Sequence, residues 1–486
     1  MTHLDEAVAA QLATVALESA RSAGARYVEA RVVGREREVL SYRDGILERG
    51  RDERDLGIGI RALFDNGWGY AGTNVLTPEA VRDAARDATQ AAKATARTAR
   101  HAVVLPTAVE GRYETPLERD PFLVSSAEKA ALMGDAQSVM LATDGVSGCT
   151  GSLFSQRRES LLWASNGSKV VQSVVLCGGG VAAHATANGD FQRRSAPKND
   201  EGNVQQGGFE WVQSMGLKTL AKQVAREAVA LTRAEPLPTQ TSTMILGGAQ
   251  LSLQIHESVG HPTELDRAFG EEISLAGASF LLPDALDSLR FGSKIVNLTA
   301  DATTPHGPGT FGFDDEGSPA TRTPLVKDGT FVGYLSGRDT AERLGRPTAS
   351  ALRAESWDKL PIVRMINVNL EPGSGSLDDL IGGVDDGVLI DTNRSWSIDD
   401  LRLNFQFSCE IAYEIKGGKR TGKIYKNPLY RGVTPKFWGD CSAIAGPEAW
   451  QMWGYLYCGK GDPVQVMYVG HGCAPARFDN VALGST

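Results

Sequence analysis

The residues with the clearest capacity for chemistry are His256, Glu257 and His261, which lie within six consecutive positions. Two imidazoles can bind a zinc ion, and a carboxylate between them can act as a general base toward water. In the common metalloprotease pattern the two histidines are four residues apart and share one face of a helix. Here they are five residues apart. Five residues of α-helix turn through about 500°, so the second ring would point about 140° away from the first.

Both imidazoles can face one ion if the helix changes its winding between them. A π-turn, whose backbone hydrogen bond spans five residues, would do this, and such turns concentrate at functional sites. Gly260 weakens an α-helix at this point, and Pro262 has no N–H to continue it. The alternative interpretation is a pair of solvated histidines on a surface helix. A buried site is favoured, because residues 242–246 predict a buried strand and residues 249–260 a mostly apolar helix.

A third metal ligand must come from elsewhere in the chain, because a catalytic zinc ion usually has three protein ligands and one open position. Cys458 is the most attractive candidate, since it lies on a glycine-rich turn beside Lys460, and a nearby cation favours the thiolate. The remaining candidates are nearby carboxylates and two residues late in the chain: Glu264, Asp266, Glu271, Glu272, His471 and Cys473. Residue type and spacing leave this choice open.

The composition is that of an ordinary globular protein, with 486 residues of which 42% are hydrophobic and 22% charged. This length implies two or more domains. The formal charge of -9 argues against a nucleic-acid partner. We expect no membrane span and no signal peptide, because long apolar runs and a basic N-terminal region are both missing from the sequence. The six cysteines are widely spaced, as in reduced proteins, and a cytoplasmic location is expected.

Local patterns predict an α+β fold. In the first half of the chain, helices are predicted at 6–23, 78–97 and 126–142. Four short turns separate the predicted strands: Asp44-Gly45, Asn66-Gly67, Asn166-Gly167 and Asn188-Gly189. Strands joined by such turns form an antiparallel sheet, and the helices would cover one of its faces.

A domain boundary is predicted at the Pro-rich segment 235–238, which follows a long helix predicted over 211–233. The N-terminal domain, residues 1–235, is then a layered α+β unit with an antiparallel sheet and helices. The C-terminal domain, residues 236–486, is β-rich, includes a strand predicted over 362–370, and carries the helix with the two histidines.

Three short motifs resemble the signature blocks of the TldD/PmbA family, on its TldD side. They are the run from His256 to His261, the run Gly312-Phe313-Asp314-Asp315-Glu316-Gly317, and Cys458-Gly459-Lys460-Gly461. The resemblance is specific from about Thr241 onward, and in the first half it rests on the pattern of helices, strands and hairpins. Pro262 departs from the family pattern, in which glycine is expected at this position.

Members of that family are zinc metallopeptidases of the bacterial and archaeal cytoplasm that act on unfolded peptides. The resemblance implies that His256, His261 and Cys458 bind Zn²⁺, and that Glu257 is the general base for a metal-activated water. It also implies a dimer that encloses a chamber, to which the N-terminal domain would contribute. The second subunit would be another copy of this chain or a PmbA (TldE)-like subunit that lacks the metal ligands.

Two other functions are alternatives to peptide hydrolysis. The chain could be a non-catalytic partner or scaffold subunit of a TldD/PmbA-type complex, although a complete set of ligands and base argues against this. It could also be a zinc hydrolase of non-peptide amides. The turn formed by Asp314, Asp315 and Glu316 could bind a substrate N-terminus or support the metal loop, or it could be a solvated turn. The natural peptide and the choice between endopeptidase and exopeptidase are left open.

Overall fold

The computed structural model describes residues 5–199, 201–272, 274–275 and 277–486. Within them the helices are α1 (Glu6–Ser22), α2 (Pro78–Thr95), α3 (Ser126–Leu141), α4 (Phe209–Ser214), α5 (Leu217–Leu231), α6 (Gly248–Ile255), α7 (Leu265–Ala268), α8 (Arg338–Leu344), α9 (Leu377–Gly382) and α10 (Thr434–Gly439). The strands of the first half are β1 (Tyr27–Arg43), β2 (Ile46–Phe64), β3 (Gly67–Thr73), β4 (Glu110–Glu114), β5 (Val146–Ala164), β6 (Lys169–Ala187), β7 (Asp190–Ala196) and β8 (Asn203–Gln206).

The strands of the second half are shorter on average. They are β9 (Glu235–Pro236), β10 (Gln240–Leu246), β11 (Leu298–Asp301), β12 (Arg322–Lys327), β13 (Thr330–Phe331), β14 (Leu352–Arg353), β15 (Ile362–Val363), β16 (Val368–Leu370), β17 (Asp386–Ile398), β18 (Asn404–Lys416), β19 (Lys419–Lys426), β20 (Pro428–Val433), β21 (Cys441–Ile444), β22 (Gln451–Lys460), β23 (Gln465–Cys473) and β24 (Ala476–Ser485).

The first half forms an eight-stranded sheet in the order β3-β2-β1-β5-β6-β4, with β7 and β8 also paired to β6. On one face, α1 packs against β1, α2 against β3, α3 against β5 and α5 against β6. Val32 and Leu40 of β1 lie on this face, where they pair with Leu161 and Leu153 of β5. Because side chains alternate along a strand, their neighbours point to the opposite face, toward the second half of the chain.

The second half contains a second eight-stranded sheet, in which β17 pairs with both β10 and β18. The pairings β17-β10-β24-β20-β18 therefore return to β17 and close a ring of five strands. Helix α6 follows β10 after a turn at Gly247 and packs against β17 and β23. Its apolar side chains, including Leu251 and Ile255, are fully buried in the core. This burial fixes the position of the residues that follow α6.

The predicted α+β class is confirmed, and three of the four predicted turns lie where expected. The turn between β2 and β3 is Asp65-Asn66, one residue earlier than predicted. The single helix predicted over 211–233 is wrong, because Gly216 adopts a φ of 63° and separates α4 from α5. The strand predicted over 362–370 is also wrong, since β15 and β16 pair with different strands. Among the described residues, no helix has both the length and the apolar character needed to cross a bilayer.

Candidate metal centre

The helix changes its winding where the two histidines lie. Helix α6 ends at Ile255 and is followed by a π-helical turn over His256–Gly260, in which the N–H of His261 donates to the carbonyl of His256. The expected π-turn is therefore present. It brings the two imidazoles to one side of the helix, with ring centroids 4.9 Å apart and planes nearly perpendicular.

Three residues near the π-turn support its geometry. A Cβ on Gly260 would lie 2.1 Å from the sulfur of Met365, so glycine allows the turn to approach that side chain closely. The hydroxyl of Thr263 donates to the carbonyls of Val259, at 2.8 Å, and of Gly260, at 2.9 Å. Pro262, the residue before Thr263, has no backbone N–H and so cannot donate to a carbonyl of the preceding turn. The side chain of Thr263 thus replaces backbone donors that a regular helix would provide.

Cys458 reaches the histidines because of an irregularity in β22. The pairing of β22 with β23 shifts register between Tyr455 and Cys458. Residues three apart on a regular strand point to opposite faces, but the extra residue of a β-bulge puts both on the same face. The ring of Tyr455 lies 5.3 Å from that of His256, and Cys458 Sγ lies 4.0 Å from His261 Nε2. One ligand atom from each of His256, His261 and Cys458 lies within 4.8 Å of the others.

The Nδ1 atoms of both histidines are engaged outside this cluster. His256 Nδ1 lies 2.8 Å from Nε2 of His471, and His261 Nδ1 lies 3.1 Å from Oε2 of Glu264. Arg267 Nε donates to the same carboxylate oxygen at 2.8 Å. Burial opposes ionisation of Glu264, but Lys460 and Arg267 hold its pKa well below the usual range. Each histidine therefore has Nε2 available toward Cys458 and its partner histidine.

Electrostatics shift the pKa values of these groups toward the protonation states that a metal requires. Burial lowers the pKa of His256 to about 4 and also lowers the pKa of His261. Burial raises the pKa of the Cys458 thiol, but the Arg364 guanidinium and His261 outweigh it, and the net shift is downward. The cluster therefore combines two neutral imidazoles with a thiol that ionises more easily than usual.

This donor set fits a zinc ion. Zinc binds histidine nitrogen and cysteine sulfur in tetrahedral geometry, which puts the nitrogen and sulfur about 3.6 Å apart. The corresponding separation of 4.0 Å between His261 Nε2 and Cys458 Sγ is close to that value. Two nitrogens and one sulfur leave one tetrahedral position without a protein ligand, as in catalytic zinc sites.

Glu257 lies beside the cluster and is held by Arg402, a residue that the sequence analysis missed. Arg402 Nη1 donates to Glu257 Oε2 at 2.7 Å, and both side chains are buried. Arg402 lies in the turn between β17 and β18 and has a φ of 64°. No pattern around position 402 marks it, because its partner is 145 residues away in the sequence. The ion pair holds the carboxylate in a defined orientation next to the cluster.

The other candidate third ligands have different contacts. Asp266 accepts two hydrogen bonds from Lys460 Nζ, at 2.7 and 2.8 Å. Glu271 pairs with Arg343. Cys473 Sγ lies 3.4 Å from the carbonyl of Gly248. His471 and Glu264 contact the Nδ1 atoms of His256 and His261. Among the described residues, Glu272 does not belong to the group whose ligand atoms lie close together.

The acidic turn does not contact the cluster, and it is not solvated. Asp314, Asp315 and Glu316 are 2%, 8% and 3% exposed, so the interpretation as a solvated turn is wrong. Asp315 accepts from Arg158 of β5 at 2.7 Å, and Glu316 lies 3.6 Å from Arg61 of β2. Both arginines come from the face of the first sheet that the helices leave open. The turn therefore joins the two halves of the chain.

Replacement of Asp315 by asparagine is expected to destabilise the protein by about 3–5 kcal/mol, because it leaves Arg158 and the buried Arg31 without their counter-charge. The midpoint of thermal or urea unfolding would measure the change. Asp135→Asn is the matched control, since Asp135 forms an exposed pair with Lys218, and its loss should matter by less than about 1 kcal/mol. Equal shifts in the two variants would contradict the assigned role of Asp315.

Comparison with known proteins identifies related chains. Residues 239–484 match the family model described as the PmbA/TldA metallopeptidase C-terminal domain, and residues 28–92 match the PmbA/TldA metallopeptidase domain 1. A Methanocaldococcus jannaschii protein named as a metalloprotease is 28% identical over 408 residues, covering 81% of this chain and 84% of the relative. A Haemophilus influenzae protein named metalloprotease TldD homolog is 26% identical over 456 residues, covering 91% and 89%.

A solved structure shares the overall fold. The crystal structure of TldE from Thermococcus kodakarensis matches with a TM-score of 0.70 at 16% identity, and the match covers 96% of this chain and 98% of that one. At this identity the likeness shows a common architecture over nearly the whole length of both chains.

Proposed function

The chain belongs to the TldD/PmbA metallopeptidase family, and on that premise we propose that it is a TldD-type, zinc-dependent peptidase that hydrolyses unfolded or short peptides. The observation that supports this most strongly is the convergence of His256, His261 and Cys458 beside the buried carboxylate of Glu257. The two histidines lie about 200 positions before Cys458 in the sequence, yet one ligand atom from each of the three lies within 4.8 Å of the others, and Glu257 follows His256 directly.

In the proposed reaction, His256, His261 and Cys458 would hold the zinc ion. When bound there, zinc would polarise the scissile carbonyl and make a water molecule more acidic. Glu257 takes a proton from the attacking water and returns it to the leaving amine. Arg402 keeps the Glu257 carboxylate oriented during both transfers, since it donates to Oε2 and leaves Oε1 to accept the proton.

The enclosure of the site supports peptides without folded structure as substrates. The exposed fractions of His256, Glu257, His261 and Cys458 are 5%, 5%, 4% and 1%. A folded protein could not bring a peptide bond to these atoms, whereas an extended chain needs a path only one strand wide.

Digestion of a peptide library, with and without a zinc chelator, tests this proposal. We expect cleavage that the chelator abolishes and added zinc restores, together with about one zinc per chain by elemental analysis. Cleavage that persists without metal would contradict zinc dependence. Zinc binding accompanied by hydrolysis of simple amides, but not of peptides, would point to a different hydrolase.

Arg402→Leu is expected to lower kcat by roughly 10- to 100-fold, the effect of removing a hydrogen bond between charged groups. Zinc content should stay unchanged, because Arg402 contacts the base rather than the ligands. Arg402→Lys keeps the positive charge and should recover part of the loss. Steady-state kinetics and zinc analysis of both variants would measure this, and a leucine variant with normal kcat would rule out the positioning role.

We also propose that the chain works in the cytoplasm as a dimer, either with a second copy of itself or with a PmbA (TldE)-like subunit. The shared fold with a TldE protein supports a related partner, and six free thiols suit a reducing compartment. Light scattering of the purified chain, and affinity purification from its native cells, would distinguish the two assemblies.

The division of the chain near residue 235 is likewise a proposal. The C-terminal family model begins at residue 239, which supports it. If the two parts are separate domains, limited proteolysis should leave two resistant fragments that divide near residue 235. In the structure, β9 (Glu235–Pro236) pairs with β19, so the linker itself would belong to the second sheet.

A further inference from the structure

A chain of hydrogen bonds leads from the backbone carbonyl of Val368, through His471, to the candidate metal ligand His256. His471 Nδ1 lies 3.0 Å from the carbonyl oxygen of Val368, and His471 Nε2 lies 2.8 Å from His256 Nδ1. His471 is fully buried and His256 is nearly so. These two contacts engage both nitrogens of His471 and the outer nitrogen of His256.

The direction of each hydrogen bond follows from the carbonyl at its end. A carbonyl oxygen can accept but not donate, so Nδ1 of His471 must carry a proton. A neutral imidazole has one proton, and its Nε2 is then an acceptor. His256 must therefore donate from Nδ1, and its own neutral ring keeps the lone pair on Nε2. One ring nitrogen of His256 lies within 4.8 Å of ligand atoms of Cys458 and His261, and Nε2 is the nitrogen that the contact with His471 leaves for this role.

The fold holds His471 in place on both sides. Gly470 packs against Asn367, where a Cβ would lie 2.4 Å from Oδ1, and the N–H of Gly472 donates to Oδ1 of Asn369 at 2.8 Å. Both asparagines flank Val368 on the adjoining segment. The two segments therefore approach closely enough for the imidazole to reach the carbonyl of Val368, and the ring has little freedom to turn.

We propose that His471 is a positioning residue that fixes the tautomer and orientation of His256 for metal binding. The inference rests on the proposed zinc site. The two ligand histidines would then be oriented by different acceptors. Glu264, a carboxylate paired with Arg267, orients His261, whereas an uncharged relay through His471 to Val368 orients His256. Outer partners of this kind fix the ring and increase its basicity as a ligand.

Substitution of His471 tests the relay through zinc affinity. His471→Leu removes the acceptor and is expected to weaken zinc binding by about 10- to 100-fold in competition with a chromophoric chelator. His471→Gln places an amide oxygen where Nε2 lies and should bind zinc nearly as well as the unaltered protein. His101→Leu, at an exposed position, is the control and should have no effect. Unchanged zinc affinity in a folded His471→Leu protein would overturn the proposal.

Nitrogen NMR of the metal-free, ¹⁵N-histidine-labelled protein tests the same relay without any variant. The His256 ring should show its proton on Nδ1, and a proton on Nε2 would overturn the inference even if His471→Leu failed to fold. The two proposals can fail separately. If the unaltered protein shows the expected tautomer but binds no zinc, the proposed peptidase is wrong and the hydrogen-bond relay stands.

Discussion

Glu257→Gln is expected to lower kcat by about 100- to 10,000-fold, the range typical for loss of a general base. Glutamine has nearly the same shape and can still accept the hydrogen bond from Arg402, but it cannot take a proton from water. Zinc content should remain at that of the unaltered protein, because the ligands are untouched. Peptide cleavage and elemental analysis on the same preparation would measure both quantities.

The control for this variant is Glu342→Gln, an identical chemical change at an exposed position of α8. It should leave kcat unchanged. A Glu257→Gln protein that cleaves peptides at the normal rate would exclude Glu257 as the base. A variant that loses both activity and zinc would instead place Glu257 among the ligands, since its carboxylate lies beside them.

Cys458→Ala is expected to weaken zinc binding by more than roughly 100-fold, because it removes one of three proposed ligands. Loss of a residue that only hydrogen-bonds a ligand weakens binding by up to about 100-fold. Peptidase activity should fall with zinc occupancy. Titration with a competing chelator would measure the dissociation constant, and activity at saturating zinc would show whether two histidines retain any function.

Cys473→Ala provides the matched control for this second variant. Cys473 is another buried thiol on the same hairpin, but its Sγ lies beside the carbonyl of Gly248 rather than in the cluster. Both variants lose a sulfur from the core, so they share the packing cost of the smaller side chain. Zinc affinity that falls equally in both would indicate a general effect of destabilisation. A selective loss in Cys458→Ala would support its role as a ligand.

Much of the local structure followed from patterns within a few residues. Helices α1, α2 and α3 begin after Asp5, Thr77 and Ser125, whose side chains accept hydrogen bonds from the first-turn N–H groups. The turns at Asp44-Gly45 and Asn188-Gly189 adopt positive φ angles, which these residue types tolerate. Such features depend on local sterics and hydrogen bonds, so they can be inferred without knowing the fold.

The predictions that failed share one cause. At each position the local pattern allows two conformations, and contacts with distant residues select one of them. A helical pattern over 211–233 includes Gly216, and a glycine can either continue a helix or end it with a positive φ. Packing of α4 and α5 against the first sheet selects the second conformation. The acidic turn was similarly ambiguous, because Asp314 and its neighbours suit a solvated loop equally well. Arginines on β2 and β5, more than 150 residues earlier, are what make its burial possible.

Residue spacing was sufficient to show that His256 and His261 could face one ion only across a π-turn, and to nominate Glu257, because helix geometry relates positions that are close in sequence. Of the seven candidate third ligands, the fold brings the sulfur of Cys458 within 4.8 Å of ligand atoms of both histidines, through a bulge in β22 that spacing does not reveal. Contacts across the fold also bring Arg402 to Glu257, and they place His471 between His256 and the carbonyl of Val368. These roles depend on distances between segments 100 or more residues apart, which are set by how the sheets pack and not by any local pattern.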